Sequence, residues 1–117
     1  MPDLVSIENA RIHLRIDGND DDEWLNVWIP VVSEAVISWL KEVDRIYLRD
    51  ENGQFALDQN GQRMLRPIVC AAAMVELAHQ YTYREGRAEN RPTNTYGYSL
   101  CAGAVALLES VRKPTLK

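Results

Sequence analysis

Residues 20–43, D-D-D-E-W-L-N-V-W-I-P-V-V-S-E-A-V-I-S-W-L-K-E-V, decide the fold. Trp24, Trp28, Val32, Val36 (or Ala35), Trp39 and Val43 recur at steps of three and four, the signature of an amphipathic helix with a broad buried face. The acids Asp20, Asp21, Asp22 and Glu23 fall at its first turn. There they complement the positive end of the helix dipole and can cap free N–H groups. Pro30 removes the hydrogen bond to the carbonyl of Asn26 and is expected to kink the helix.

Upstream, Ser6 is a fitting N-cap for a short helix from about Ile7 to Leu14, with Ile7, Ala10 and Leu14 on one face. Asp17-Gly18-Asn19 is a turn. Downstream, Pro67 suits the first turn of a third helix. That helix, Ile68 to Tyr83, is apolar on nearly every side and should be the most buried. Glu76, Gln80 and Arg84 form its one polar stripe, and Gly86 suits its C-cap. After a loop over 86–98, a last helix runs from about Leu100 to Val111, lined on one face by Leu100, Ala104, Leu107, Leu108 and Val111. The residues from Arg112 to Lys117 form a flexible basic tail, detached by Pro114.

Residues 45–66 break the helical pattern. Asp50-Glu51-Asn52-Gly53-Gln54 recurs as Asp58-Gln59-Asn60-Gly61-Gln62, and each Asn-Gly is a strong turn signal. A β-hairpin or an extended arm between the second and third helices is predicted. A connection this long in a small domain suggests contact with a partner. The expected fold is all-α: a small bundle of four to five helices carrying that arm, with residues 1–117 as a single domain.

The 17 acids against 13 Lys and Arg leave a formal charge of −4, which argues against tight wrapping by DNA. The start, Met1-Pro2-Asp3, lacks a basic segment followed by an apolar one, so no signal peptide is expected. No apolar run approaches the roughly 20 residues needed to span a bilayer, so no membrane partner is expected. Cys70 and Cys101 lie in Ala-rich surroundings outside any C-x-x-C pair, as expected of buried free thiols in a reducing cytoplasm.

No catalytic constellation emerges. His13 and His79 have no Ser-His-Asp arrangement, Gly-rich phosphate loop or metal-ligand spacing around them, and a structural role is expected for His79. The acids from Asp17 to Glu23 lack the glycine and glutamate of an EF-hand loop, and turn chemistry accounts for the Asp-x-Asn-Gly repeats. Catalytic, cofactor and metal residues are therefore all expected to be none. The three tryptophans are expected to pack on the third helix. Tyr96 and Tyr98, whose local pattern does not demand burial, are better contact candidates.

Three blocks of the sequence resemble the head–tail connector proteins of long-tailed bacteriophages. The first is Ile7 to Gly18, a short helix ending in Leu14-Arg15-Ile16-Asp17 before acids and a long apolar helix. The second is Ala71-Ala72-Ala73-Met74-Val75-Glu76-Leu77-Ala78-His79-Gln80-Tyr81 before Arg84-Glu85. The third is Val105-Ala106-Leu107-Leu108-Glu109-Ser110-Val111-Arg112, with Val111 where the family pattern has a tyrosine. The 45–66 excursion is longer than the family's usual connection.

The resemblance implies a non-enzymatic subunit without a cofactor, made in the host bacterial cytoplasm and placed in the virion neck. It implies a closed homo-oligomeric ring, dodecameric if like its relatives, below the portal protein. The ring would dock a neck or tail-completion protein and let double-stranded DNA pass without specific binding. On that reading the interface candidates are Tyr47, Phe55, Tyr96, Tyr98, Arg112 and Lys113, and the channel-facing candidates are Asp20, Asp21, Asp22 and Glu23. The alternative is a small helical DNA-binding regulator. It is weakened by the charge and by the lack of a helix bearing clustered Arg, Lys, Asn and Gln for groove reading. An enzyme is the third and weakest reading.

Overall fold

The computed structural model describes residues 3–82 and 100–112, with Arg112 described by its backbone only. Four α-helices build the described body: α1 (Ile7–Leu14), α2 (Asp22–Leu40), α3 (Pro67–Thr82) and α4 (Ala102–Arg112). A 3₁₀ turn, Val43–Ile46, follows α2. The all-helical bundle expected from the periodicity is the observed fold. Tyr83, Arg84, Gly86 and the loop to Ser99 lie outside the described residues.

Local chemistry starts and stops the helices. Ser6 Oγ accepts from the Asn9 amide at 3.1 Å and caps α1. Arg15 (φ +60°) and Lys41 (φ +73°) end α1 and α2 in the left-handed conformation, where their amides reach back to carbonyls of the last turn. The second helix begins at Asp22, two residues later than the acidic run suggested, because Asn19 to Asp21 are spent on a turn. It then runs without interruption through Pro30. Asn26 and Pro30 both lie exposed, so water can satisfy the carbonyl that the proline frees.

The buried stripe of α2 is Leu25, Ile29, Val32, Val36 and Leu40, at steps of four and three. The tryptophans flank this stripe, half-buried, instead of forming its centre, and Val43 is exposed. Compact aliphatic side chains fill a small core completely, whereas an indole rarely does. Trp24 stacks on Trp28 (5.6 Å between ring centroids) and meets Tyr81 of α3 edge-on at 5.3 Å.

The core gathers around α3. Val69, Ala72, Ala73 and Leu77 are buried there together with Ala104 and Leu108 of α4 and the α2 stripe. Small residues let α4 approach closely: a Cβ on Gly103 would sit 3.1 Å from Val75 Cγ1. Helix α1 runs antiparallel to α2. The Leu4 amide donates to buried Ser33 Oγ at 2.8 Å, and Arg11 forms a bidentate pair with Asp22 (Nε to Oδ1 3.0 Å). Asp22 thereby raises the Arg11 pKa further. Ser33→Ala strands the buried Leu4 amide and should lower stability by about 1–2 kcal/mol, read as a lower urea midpoint with an unchanged slope.

Residues 46–66 form neither a plain hairpin nor an irregular loop. Three short segments close on one another through antiparallel bridges Tyr47–Leu65, Arg49–Phe55 and Leu57–Arg63. At the centre three amides and three carbonyls form a ring. Leu48 N–H donates to the Met64 carbonyl (2.8 Å), Met64 N–H to Ala56 (2.9 Å) and Ala56 N–H to Leu48 (2.9 Å). Two corners are the Asn-Gly turns. Asp50 Oδ1 accepts from the Asn52 and Gln54 amides, Asp58 Oδ1 accepts from those of Asn60 and Gln62, and Gly53 and Gly61 take φ near +80°. At the third corner Arg66 N–H reaches the Ile46 carbonyl at 2.8 Å, where the chain enters and leaves the body. The eight-residue repeat of the sequence is thus a three-cornered arm.

Candidate assembly surfaces

The arm joins the body only at its root. Ile46 is buried, and Tyr47 and Leu65 pack against the core. Beyond them nearly every residue from Arg49 to Met64 is exposed. Successive eighth residues share a face, so Tyr47, Phe55 and Arg63 meet. Phe55 lies between two guanidinium groups, Arg49 and Arg63, each 3.9 Å from its ring centroid. Tyr47 touches Phe55 edge-on at 5.7 Å, with Arg63 5.3 Å from the Tyr47 centroid. Cation–π contact stiffens an otherwise thin arm and holds both guanidinium groups near solvent. Leu57 (58% exposed) and Met64 (42% exposed) add apolar surface.

Of the expected contact residues, the structure brings Tyr47 and Phe55 together. Tyr96, Tyr98 and Lys113 lie outside the described residues, as does the Arg112 side chain. Arg49 and Arg63 were missed in the sequence. Their signal was the eight-residue spacing that places Arg63 in line with Tyr47 and Phe55.

The acidic run divides in two. Asp22 is held by Arg11, and Asp21 Oδ2 accepts from the Tyr81 hydroxyl at 2.6 Å. Asp20 and Glu23 are exposed. On α1, next in the chain to Arg11, Ile12 is 75% exposed. A second surface is an apolar groove of about 610 Å³ between α2 and α4, lined by Val31, Glu34, Ala35, Ser38, Trp39, Leu100 and Val105.

The polar stripe of α3 faces inward. Glu76 is fully buried and Gln80 nearly so. Glu76 Oε1 accepts from the Cys101 amide at 2.7 Å, and Oε2 accepts from Gln80 Nε2 at 2.9 Å. The carboxylate thus sits at the positive end of α4, which starts one residue later. His79 is partnered within the chain, and His13 is exposed. Among the described residues no group of three or more His, Cys, Asp or Glu could hold a metal ion, and no helix is long and apolar enough to cross a membrane.

Cys70 and Cys101 are free thiols, half-buried instead of fully buried, since Cys101 heads a helix and Cys70 lies towards the rim of α3. Burial pushes both thiols above their ordinary pKa. Less thiolate at neutral pH means slow alkylation. Iodoacetamide labelling at pH 7 should therefore be slower in the folded chain than in urea, a difference that mass spectrometry reads at each site.

The described residues thus form a helical body with a projecting arm, and the buried Glu76 serves packing and the start of α4. Residues 5–112 match the family of phage gp6-like head–tail connector proteins, and the chain belongs to that family. No curated protein and no solved structure matches it. Membership brings a structural role at the phage neck.

Proposed function

We propose that this chain is the subunit of a ring seated below the portal at the capsid vertex. There it extends the DNA channel and offers a docking surface to the next neck or tail component. The observation that carries this reading is the family match over residues 5–112, nearly the whole chain. The arm supports it, because a subunit in a closed ring must present two different faces to its two neighbours. The acidic balance supports it as well: a channel wall should not grip phosphates, which a lysine- or arginine-rich lining would do. Assembly takes place in the host cytoplasm, and the finished ring resides in the virion neck.

The test is co-sedimentation with the purified portal ring encoded by the same phage. Binding of several copies per portal is expected, and a chain left wholly in the supernatant overturns the proposal. A gel-shift assay at physiological salt separates the regulator reading. Tight, sequence-specific DNA binding would favour that reading over the connector.

A further inference from the structure

The geometry points to a specific seam between neighbouring copies: the arginine-bearing arm of one chain docks on the acidic α1–α2 end of the next. This rests on the ring reading above and names the contact that builds the ring.

Charge and position carry the inference. Residues 3–23 hold seven carboxylates against Arg11 and Arg15. Arg11 and Asp22 neutralise each other, and Asp21 holds Tyr81, which leaves Asp20 and Glu23 exposed and in no ion pair among the described residues. The arm, residues 45–66, has the opposite balance, with four arginines against three acids. Two of those acids, Asp50 and Asp58, are occupied in holding the turns. Arg49 and Arg63 each stand 3.9 Å from the Phe55 centroid; Arg49 Nη1 donates to the Gly53 carbonyl at 3.0 Å, and Arg63 lies 4.0 Å from Asp44 in a loose surface pair, so both guanidinium groups remain at the surface. Each region also exposes apolar surface: Leu57 and Met64 on the arm, Ile12 on α1, whose Arg11 pairs with Asp22.

The two patches cannot meet within one chain. Helix α2 separates them, and its 19 residues span roughly 28 Å at the helical rise. Asp20 and Glu23 flank its first residue, and the arm follows its last turn. Complementary patches at opposite ends of a rigid element join copies head to tail, the kind of contact that builds a ring when the rotation between copies closes. Asp20 and Glu23 thereby belong to the seam between subunits and not to the channel wall.

The experiment uses charge reversal and mixing, with the full chain assembled on the portal ring and cross-linked before electrophoresis. An arm variant, Arg49→Glu with Arg63→Glu, and an acid variant, Asp20→Arg with Glu23→Arg, should each weaken association by at least about tenfold, because like charges then face each other. An equimolar mixture should recover the wild-type ladder, since each variant then meets only complementary neighbours. Misfolded chains could not produce that recovery, and Arg49→Glu alone, at an exposed position, gives a milder variant of the same test. If either double variant assembles like the wild type, or the mixture fails to recover, the seam is wrong and the connector reading stands. If the wild type does not bind the portal, both are wrong.

Discussion

Glu76→Ala should lower the stability of the chain by about 2–4 kcal/mol, because it strips two neutral donors, one of them buried, of their acceptor. Glu76 is fully buried. Its two oxygens accept from the half-buried Cys101 amide and the buried Gln80 side chain, and both groups would lose that acceptor. A buried polar group without a partner costs the desolvation that its hydrogen bond had offset. Helix α4 should suffer most, because the Cys101 amide stands at its start and the carboxylate also complements its dipole. The expected result is a lower urea midpoint together with faster amide exchange in α4 than in α2. Glu76→Gln keeps an oxygen for Cys101 and should cost less. An alanine variant as stable as the wild type would show that the network contributes nothing.

Leu77→Ala should destabilise by about 3 kcal/mol, within the range for deleting a buried leucine side chain. Leu77 lies fully buried on the central helix, facing a core shared with α2 and α4. Ala72 and Ala73, buried on the same helix, offer no side chain long enough to refill the void. The site should therefore collapse poorly, and the variant should melt well below the wild type in a thermal scan. Leu57→Ala is the control: this leucine is 58% exposed on the arm, so its loss should leave stability nearly unchanged. If the proposed seam is right, the same change should still reduce assembly on the portal. The pair of variants thus separates folding from association.

Much of this architecture was legible in the sequence. Four helices were expected at the observed places, from apolar spacing, Ser6 as a cap and Pro67 at an N-terminus. The two Asn-Gly turns were legible too, because an aspartate and a glycine at fixed spacing leave the backbone few options. Which flank of α2 would be buried was not legible. Nearly the whole helix is apolar, and periodicity cannot rank a tryptophan stripe against an adjacent aliphatic one. That choice appears only in the packed structure, where Leu25, Ile29, Val32, Val36 and Leu40 face the core.

The sequence by itself therefore determined the helical class, the place of the arm and the family. Each depends on residues close together in the chain or on a pattern spread over its length. The tertiary structure alone decided that Glu76 faces inward, since its partner Cys101 is 25 residues away and a polar stripe on one helix does not say what lies opposite. It alone decided that Arg49 and Arg63 clasp Phe55, and that three segments close into a ring of hydrogen bonds. It also set the acids and the arginines at opposite ends of α2. Contacts between distant residues depend on how elements meet in space, and local propensity carries no information about that meeting.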